Sequence, residues 1–191
     1  DDNAIVLEHT KKGGTAFYYN EESIIIDEGG KITSLIDIKN LPSVMQGILK
    51  HNIYNALAAA AGAYGAGIKI CDIQKGLSTF NSDAKDNPGR FNVFDVNGVK
   101  VVIDYGHNID GYKNVLNSLK NLKKNRLIGV IGVPGDRTDS SSLMIGELCG
   151  NFFDRVYVKE DKDKRGRKCG EVADILKKGC QLGSIPESDI I

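Results

Sequence analysis

The 191-residue sequence predicts an α/β protein, with a Rossmann-like C-terminal domain built on a mainly parallel sheet behind an incomplete α/β segment. Three observations carry that expectation. From residue 126 onward, short β-branched runs alternate with helical stretches, the order of a doubly wound sheet. The stretch "VVIDYGHNIDG" (101–111) opens as an apolar run fit for burial on both faces and closes in a cluster of polar groups. Before it, "NSDAKDNPG" (81–89) lacks periodicity and ends in Pro-Gly, the mark of a linker. A boundary near residue 85 therefore divides a first domain (1–85) from a second (86–191).

Taken in order, residues 1–40 read as short strands and turns. "TAFYYN" (15–20) and "SIIID" (23–27) are β-rich, and Gly29-Gly30 signals a turn before "KITSLIDI". "HNIYNALAAAAGAYGAGI" (51–68) is Ala-rich, the composition of a helix in close contact with its neighbours, with Gly65 and Gly67 at its end. Asp72 is expected to cap a short second helix. "RFNVFDVNGVKVVIDYG" predicts a hairpin, because Asn97-Gly98 suits a type I′ turn. A helix follows at about 109–122, with Val115, Leu116, Leu119 and Leu122 on one face. Strands are expected at 126–133 and 155–159, helices at about 140–151 and 168–179, and "DII" (189–191) could begin one more strand.

Composition excludes several classes. With 25 basic and 25 acidic residues the formal net charge is zero, which argues against a general nucleic-acid binder. The longest apolar run is too short to span a bilayer, and "DDNAIVLEHTKKGG" lacks a signal peptide's layout, so a cytoplasmic protein is expected. The four cysteines are widely separated without a CxxC pair, which predicts free thiols rather than a disulfide framework or a metal site.

Ligands of doubly wound sheets sit beyond the carboxyl ends of the strands. Three strand ends in the second domain are polar: Asp104–Asn108, "GVPGDRTDSSS" with Asp136 and Arg137, and "KEDKDKRGRK" with Glu160, Asp161, Arg165 and Arg167. By topology all three fall on one rim. Each also has a plainer reading, since loops are polar by default, Asp104, Asn108 or Asp110 could simply cap a helix, and charge runs are usually solvated. Asn52 and Asn55, three apart, share a helix face, and their amides suit the edge of a base. Asn52 alone would also fit an N-cap. No G-x-x-x-x-G-K-[ST] loop occurs in the chain.

Together these stretches resemble the Mur-ligase superfamily of ATP-dependent amide-forming ligases. "HNIYNALAA" is similar to that family's H-N-x-x-N-A-L-A-A helix, "NPGRF" to its P-G-R segment, and "DYGHNIDG" to its D-Y-A-H-N-P-x-G. Within the superfamily, "GVPGDRTDSS" and "FDRVYVKEDKDKRGRKCGEVADIL" resemble the cyanophycin synthetase family. Gly106 and Ile109 depart from the usual Ala and Pro without consequence for the turn.

The resemblance implies that residues 1–85 are the end of a central ATPase domain and 86–191 the C-terminal domain, short of its last strand. It implies that ATP phosphorylates a carboxylate, which an amine then attacks to leave an amide, ADP and phosphate. By motif, Asn52, Asn55, Arg90, Asp104, His107 and Asn108 would bind nucleotide. Asp136, Arg137, Glu160, Asp161, Arg165 and Arg167 would hold the incoming amino acid. The partners implied are ATP with Mg2+, arginine and an aspartate-containing polymer, with room for a homo-oligomer. The phosphate loop, the Mg2+-binding acids and a modified lysine are expected upstream of Asp1, so the chain alone is expected to hold no catalytic or metal-binding residue and to be inactive. Folylpolyglutamate synthase, a peptidoglycan Mur ligase, or a non-catalytic binding module remain open alternatives.

Overall fold

A computed structural model describes residues 3–120, 122 and 125–191. The chain forms two compact units, residues 1–104 and 105–191.

The first unit opens with α1 (Ala4–Lys11), where strands and turns were expected. Asn3 makes this helix: its side chain accepts from the Ile5 and Val6 amides at 3.0 and 3.3 Å. β1 (Thr15–Tyr19), β2 (Ser23–Glu28) and β3 (Lys31–Asp37) follow as an antiparallel sheet in sequence order. Asn20 closes the first turn by accepting from the Glu22 and Ser23 amides. At the second turn Gly29 and Gly30 adopt φ of 65° and 97°, a backbone that residues with a Cβ resist.

β2 is the buried strand, and its Ile24 and Ile26 meet α2 (His51–Gly65) and α3 (Ile70–Thr79) in the core. Ala56 and Ala60 lie at that contact, where small side chains let helix and sheet approach. Two sequence expectations are corrected here. Asn52 is not the N-cap of α2, because Lys50 holds that position and Asn52 is buried in the first turn. Asp72 likewise lies inside the first turn of α3, whose cap is Lys69.

Residues 81–90 form a knot of side-chain-bonded turns. Asp83 accepts from the Lys85 and Asp86 amides, and Asp86 accepts from the Asn81 amide and side chain. β4 (Asn92–Val96) and β5 (Val99–Ile103) then pair antiparallel, with Asn97 and Gly98 at φ of 53° and 81° as a type I′ turn demands.

The second unit is an alternating α–β–α–β–α layout. α4 (Ile109–Leu119) is shorter than the expected 109–122, and residue 121 lies outside the described residues. β6 (Ile128–Ile131) pairs parallel with β7 (Arg155–Val158), and Ile190 bridges parallel to Val156 where a further strand was expected. α5 (Asp139–Gly150) and α6 (Glu171–Leu182) cover this sheet with Ile145, Cys149, Leu176 and Cys180, all fully buried. α6 starts three residues later than expected because Gly170, at φ 87°, turns the chain just before it.

The two helices touch backbone to backbone. A Cβ on Gly146 would lie 2.3 Å from the Leu176 carbonyl oxygen, and one on Gly179 2.3 Å from that of Leu143. All four cysteines are free thiols, and burial pushes the Cys180 thiol up to about 11. No helix of the described residues is long and apolar enough to cross a membrane.

Candidate functional site

The first unit holds a cavity of about 550 Å3 between α2, α3 and the turns that follow. Its wall is Ala56, Ala59 and Ala63 with Ile73, Leu77 and Phe80, a smooth apolar surface. Ser43, Asp72 and Asn87 also border it, and Asn52 and Asn55 supply a polar edge joined in a relay. The Asn52 amide donates to the Ser43 carbonyl at 2.6 Å, and the Asn55 amide donates to the Asn52 side-chain oxygen at 2.9 Å. That direction leaves the Asn55 oxygen as an acceptor, with one N–H of the same amide beside it.

Arg90 sits between two left-handed residues, Gly89 (φ 73°) and Phe91 (φ 51°). Phe91 is fully buried, so its strained backbone is held by packing. Asn92 organises the turn. Its oxygen accepts from the Gly89 amide at 2.6 Å, and its amide donates to the Asn87 and Arg90 carbonyls at 3.0 and 3.3 Å. Sequence reasoning passed over Asn92; the sign available was an Asn opening an apolar strand.

Asp104 directly follows β5 and accepts from the Phe91 amide at 2.9 Å through one carboxylate oxygen. His51 lies within its field. Burial pushes the His51 imidazole below its ordinary range, and the Asp104 charge opposes that shift.

In the second unit, His107 lies against Tyr105, with ring centroids 5.5 Å apart and Nδ1 3.2 Å from the Tyr105 carbonyl. Asn108 is the N-cap of α4, accepting from the Gly111 amide at 2.7 Å. Tyr112, another residue not singled out from sequence, fastens α4 to the end of β6 by donating to the Gly132 carbonyl at 2.9 Å.

The Gly-Asp-Arg turn and the charged loop, 22 or more residues apart in sequence, are drawn together by ion pairs. Asp136 pairs with Arg165 at 2.6 Å. Arg167 reaches across to the Gly135 and Arg137 carbonyls at 3.1 Å each and to Asp139 and Glu171 at 2.6 Å each. Glu160 pairs with Lys164 at 2.6 Å and accepts from the Gly170 amide at 2.8 Å, while Asp161 pairs with Lys159 at 2.9 Å. Tyr105 adds to the field on Arg165, so parts of all three polar clusters meet in this unit. Arg137 stands apart. Its nearest carboxylate is Asp136 at 3.8 Å, and its Nε is buried without a hydrogen-bond partner.

These pairs depress the carboxylates. The hydrogen bond from Arg165 holds Asp136 below its ordinary range, as Lys164 does for Glu160 and Arg167 for Glu171. A carboxylate depressed in the folded state stabilises the fold above its unfolded pKa and loses that contribution as pH falls through the folded value. The melting temperature is therefore expected to drop as pH falls below about 4. Thermal melts from pH 7 to 3 measure this, and Glu160→Gln should flatten the dependence.

Among the described residues, no three His, Cys, Asp or Glu side chains cluster to hold a metal ion.

A family model described as Mur ligase, glutamate ligase domain, matches residues 89–189. The cyanophycin synthetase of Crocosphaera subtropica is 42% identical over 175 residues, 92% of this chain and 20% of that protein. A UDP-N-acetylmuramoyl-L-alanyl-D-glutamate–2,6-diaminopimelate ligase of Clostridium botulinum is 33% identical over 118 residues, 60% of this chain and 24% of that protein. A murein peptide ligase of Psychrobacter arcticus shares the fold with a TM-score of 0.58 at 19% identity, over 99% of this chain and 42% of that one.

Proposed function

Because the chain belongs to the Mur ligase family, we propose that it is the nucleotide-closing part of an ATP-dependent amide-forming ligase, of the kind that joins arginine to an aspartate side-chain carboxylate. It spans a fifth of the length of the cyanophycin synthetases it matches, so the activity proposed is that of a longer protein.

The observation that carries the reading is the Asn52–Asn55 relay in an apolar cavity. An adenine offers a donor at its exocyclic amine and an acceptor at the adjoining ring nitrogen. The Asn55 oxygen and amide match both, in a direction set by the Ser43 carbonyl at the far end of the relay. A guanine presents acceptors at both places, and would leave the Asn55 oxygen facing an acceptor. The apolar wall of Ala56, Ala59 and Ala63 suits the face of the base.

Asp104 has one oxygen engaged with the Phe91 amide, which leaves the other to accept from a ribose hydroxyl. Arg90 is the guanidinium for the phosphates. His107 and Asn108, in the second unit, are assigned to the nucleotide by their motif. For the amino acid, Arg137, whose nearest carboxylate lies 3.8 Å away, would take the carboxylate, with Asp136 and Asp161 toward a guanidinium. Arg167 and Glu160, by contrast, have most of their bonds made to protein and act as the frame of that subsite.

In such a ligase ATP transfers its terminal phosphoryl group to the substrate carboxylate. The amine attacks the acyl phosphate, and phosphate leaves as the amide forms. Mg2+ would supply charge neutralisation on the phosphates, but the described residues offer no ligand set for it. A cytoplasmic setting is part of the same proposal. The second reading, a peptidoglycan-type ligase taking another amino acid, draws on the relative from C. botulinum and keeps the same nucleotide residues.

The purified 191-residue chain, given ATP, arginine and an aspartate polymer, is expected to release no phosphate, because it has no G-x-x-x-x-G-K-[ST] loop. Release at a rate unchanged by further purification would overturn that part of the proposal.

A further inference from the structure

A second cavity, of about 560 Å3, lies where β1 meets α2 and is not used by the nucleotide reading. Phe17, Tyr18, Tyr19, Glu21, Tyr54 and Leu57 line it. Successive side chains of a strand point to opposite faces, so a cavity touching residues 17, 18 and 19 runs along the edge of β1 rather than over one face. β1 is the outer strand of its sheet, and among the described residues no strand pairs with its free edge.

Tyr19 and Tyr54 meet edge to face, with ring centroids 5.6 Å apart and hydroxyls 3.2 Å apart. Tyr54 remains 60% exposed, so its ring presents surface to whatever enters. At the strand end, the turn held by Asn20 projects Glu21 and Glu22. Both glutamates are exposed, and among the described residues neither side chain has an ion-pair partner.

We propose that this cleft binds a guanidinium-bearing chain in extended conformation, one side-chain cation lodging among the tyrosines with the glutamates at the rim. The aromatic quadrupole attracts a cation, and more strongly a flat guanidinium that can also stack. A carboxylate pairs with the same group through two parallel hydrogen bonds. The unpaired edge of β1 offers backbone groups to an extended partner, the geometry of strand addition. The proposal rests on the reading that the ligase handles arginine, and it assigns the product chain a holding surface separate from the site of chemistry.

The test uses tyrosine emission of the purified chain, which has seven tyrosines and no tryptophan. Titration with a tetra-arginine peptide should give a saturable change, tetra-lysine a weaker one, and tetra-aspartate none. Tyr54→Ala and Glu21→Gln should each weaken tetra-arginine binding by about fivefold, while Tyr54→Phe stays close to the parent. Both altered residues are exposed, so circular dichroism should match the parent. No saturable change with tetra-arginine, equal binding of tetra-aspartate, or unchanged affinity in both variants would overturn the proposal. ADP titrated on the same sample separates the two readings. ADP binding without tetra-arginine binding rejects the cleft alone, whereas loss of both rejects the ligase reading with it.

Discussion

Gly146→Ala destabilises the second unit by about 3 kcal/mol, against the usual preference of helices for alanine. In an open helix interior this exchange gains about 1 kcal/mol. Here the new methyl would stand 2.3 Å from the Leu176 carbonyl oxygen and 2.9 Å from the Gly179 Cα, and both are backbone atoms that cannot rotate away. α5 and α6 must separate, which loosens the packing of Cys149, Leu176 and Cys180 between them. The clash outweighs the propensity gain. Gly62→Ala, in α2 with nothing within 4 Å of the new methyl, is the control and should stabilise instead. Urea unfolding of the two variants beside the parent checks the opposite signs.

Asn92→Ala removes about 2–3 kcal/mol from the first unit and weakens nucleotide binding with it. The side chain is 3% exposed, so water does not readily replace its three bonds. Without it the Gly89 amide and the Asn87 and Arg90 carbonyls lose a partner in the turn that presents Arg90. Asn92→Asp keeps the acceptor for Gly89 and loses both donations, and should fall between parent and alanine. Chemical denaturation measures the stability, and ADP affinity under native conditions reads the effect on Arg90. Equal stability of the alanine variant and the parent would show that the turn is held otherwise.

What could be read from the sequence was what rests on local chemistry. Asn97-Gly98 announced its hairpin because few residues accept two positive φ values in succession. The helices at Ile109, Asp139 and Glu171 were found within about three residues of their true starts, because they alternate with β-rich runs. α1 escaped notice because it buries only Thr10 and has no stripe to read; its sole signal is the Asn3 cap.

The site divides in the same way. The charges of the Gly-Asp-Arg turn and the 159–168 loop were legible, but their pairing was not, because Asp136 and Arg165 stand 29 residues apart. Arg167 drew attention as a substrate ligand, while the fold spends four of its five N–H donors on two carbonyls and two carboxylates. Asn52 was assigned to the nucleotide with a helix cap as its plainer reading, and its bond to the Ser43 carbonyl nine residues back could not be seen. Pairings of that kind come from tertiary contact.

The central claim is that the Asn52–Asn55 relay reads an adenine. Its most direct test is an ADP titration of the isotope-labelled chain, followed through the side-chain amide resonances of the asparagines by NMR. The account predicts that the Asn55 amide moves with saturation, that GDP moves it less, and that Asn55→Ala weakens ADP binding by about tenfold. An unmoved Asn55 amide at saturating ADP, or equal affinity in the alanine variant, would contradict it.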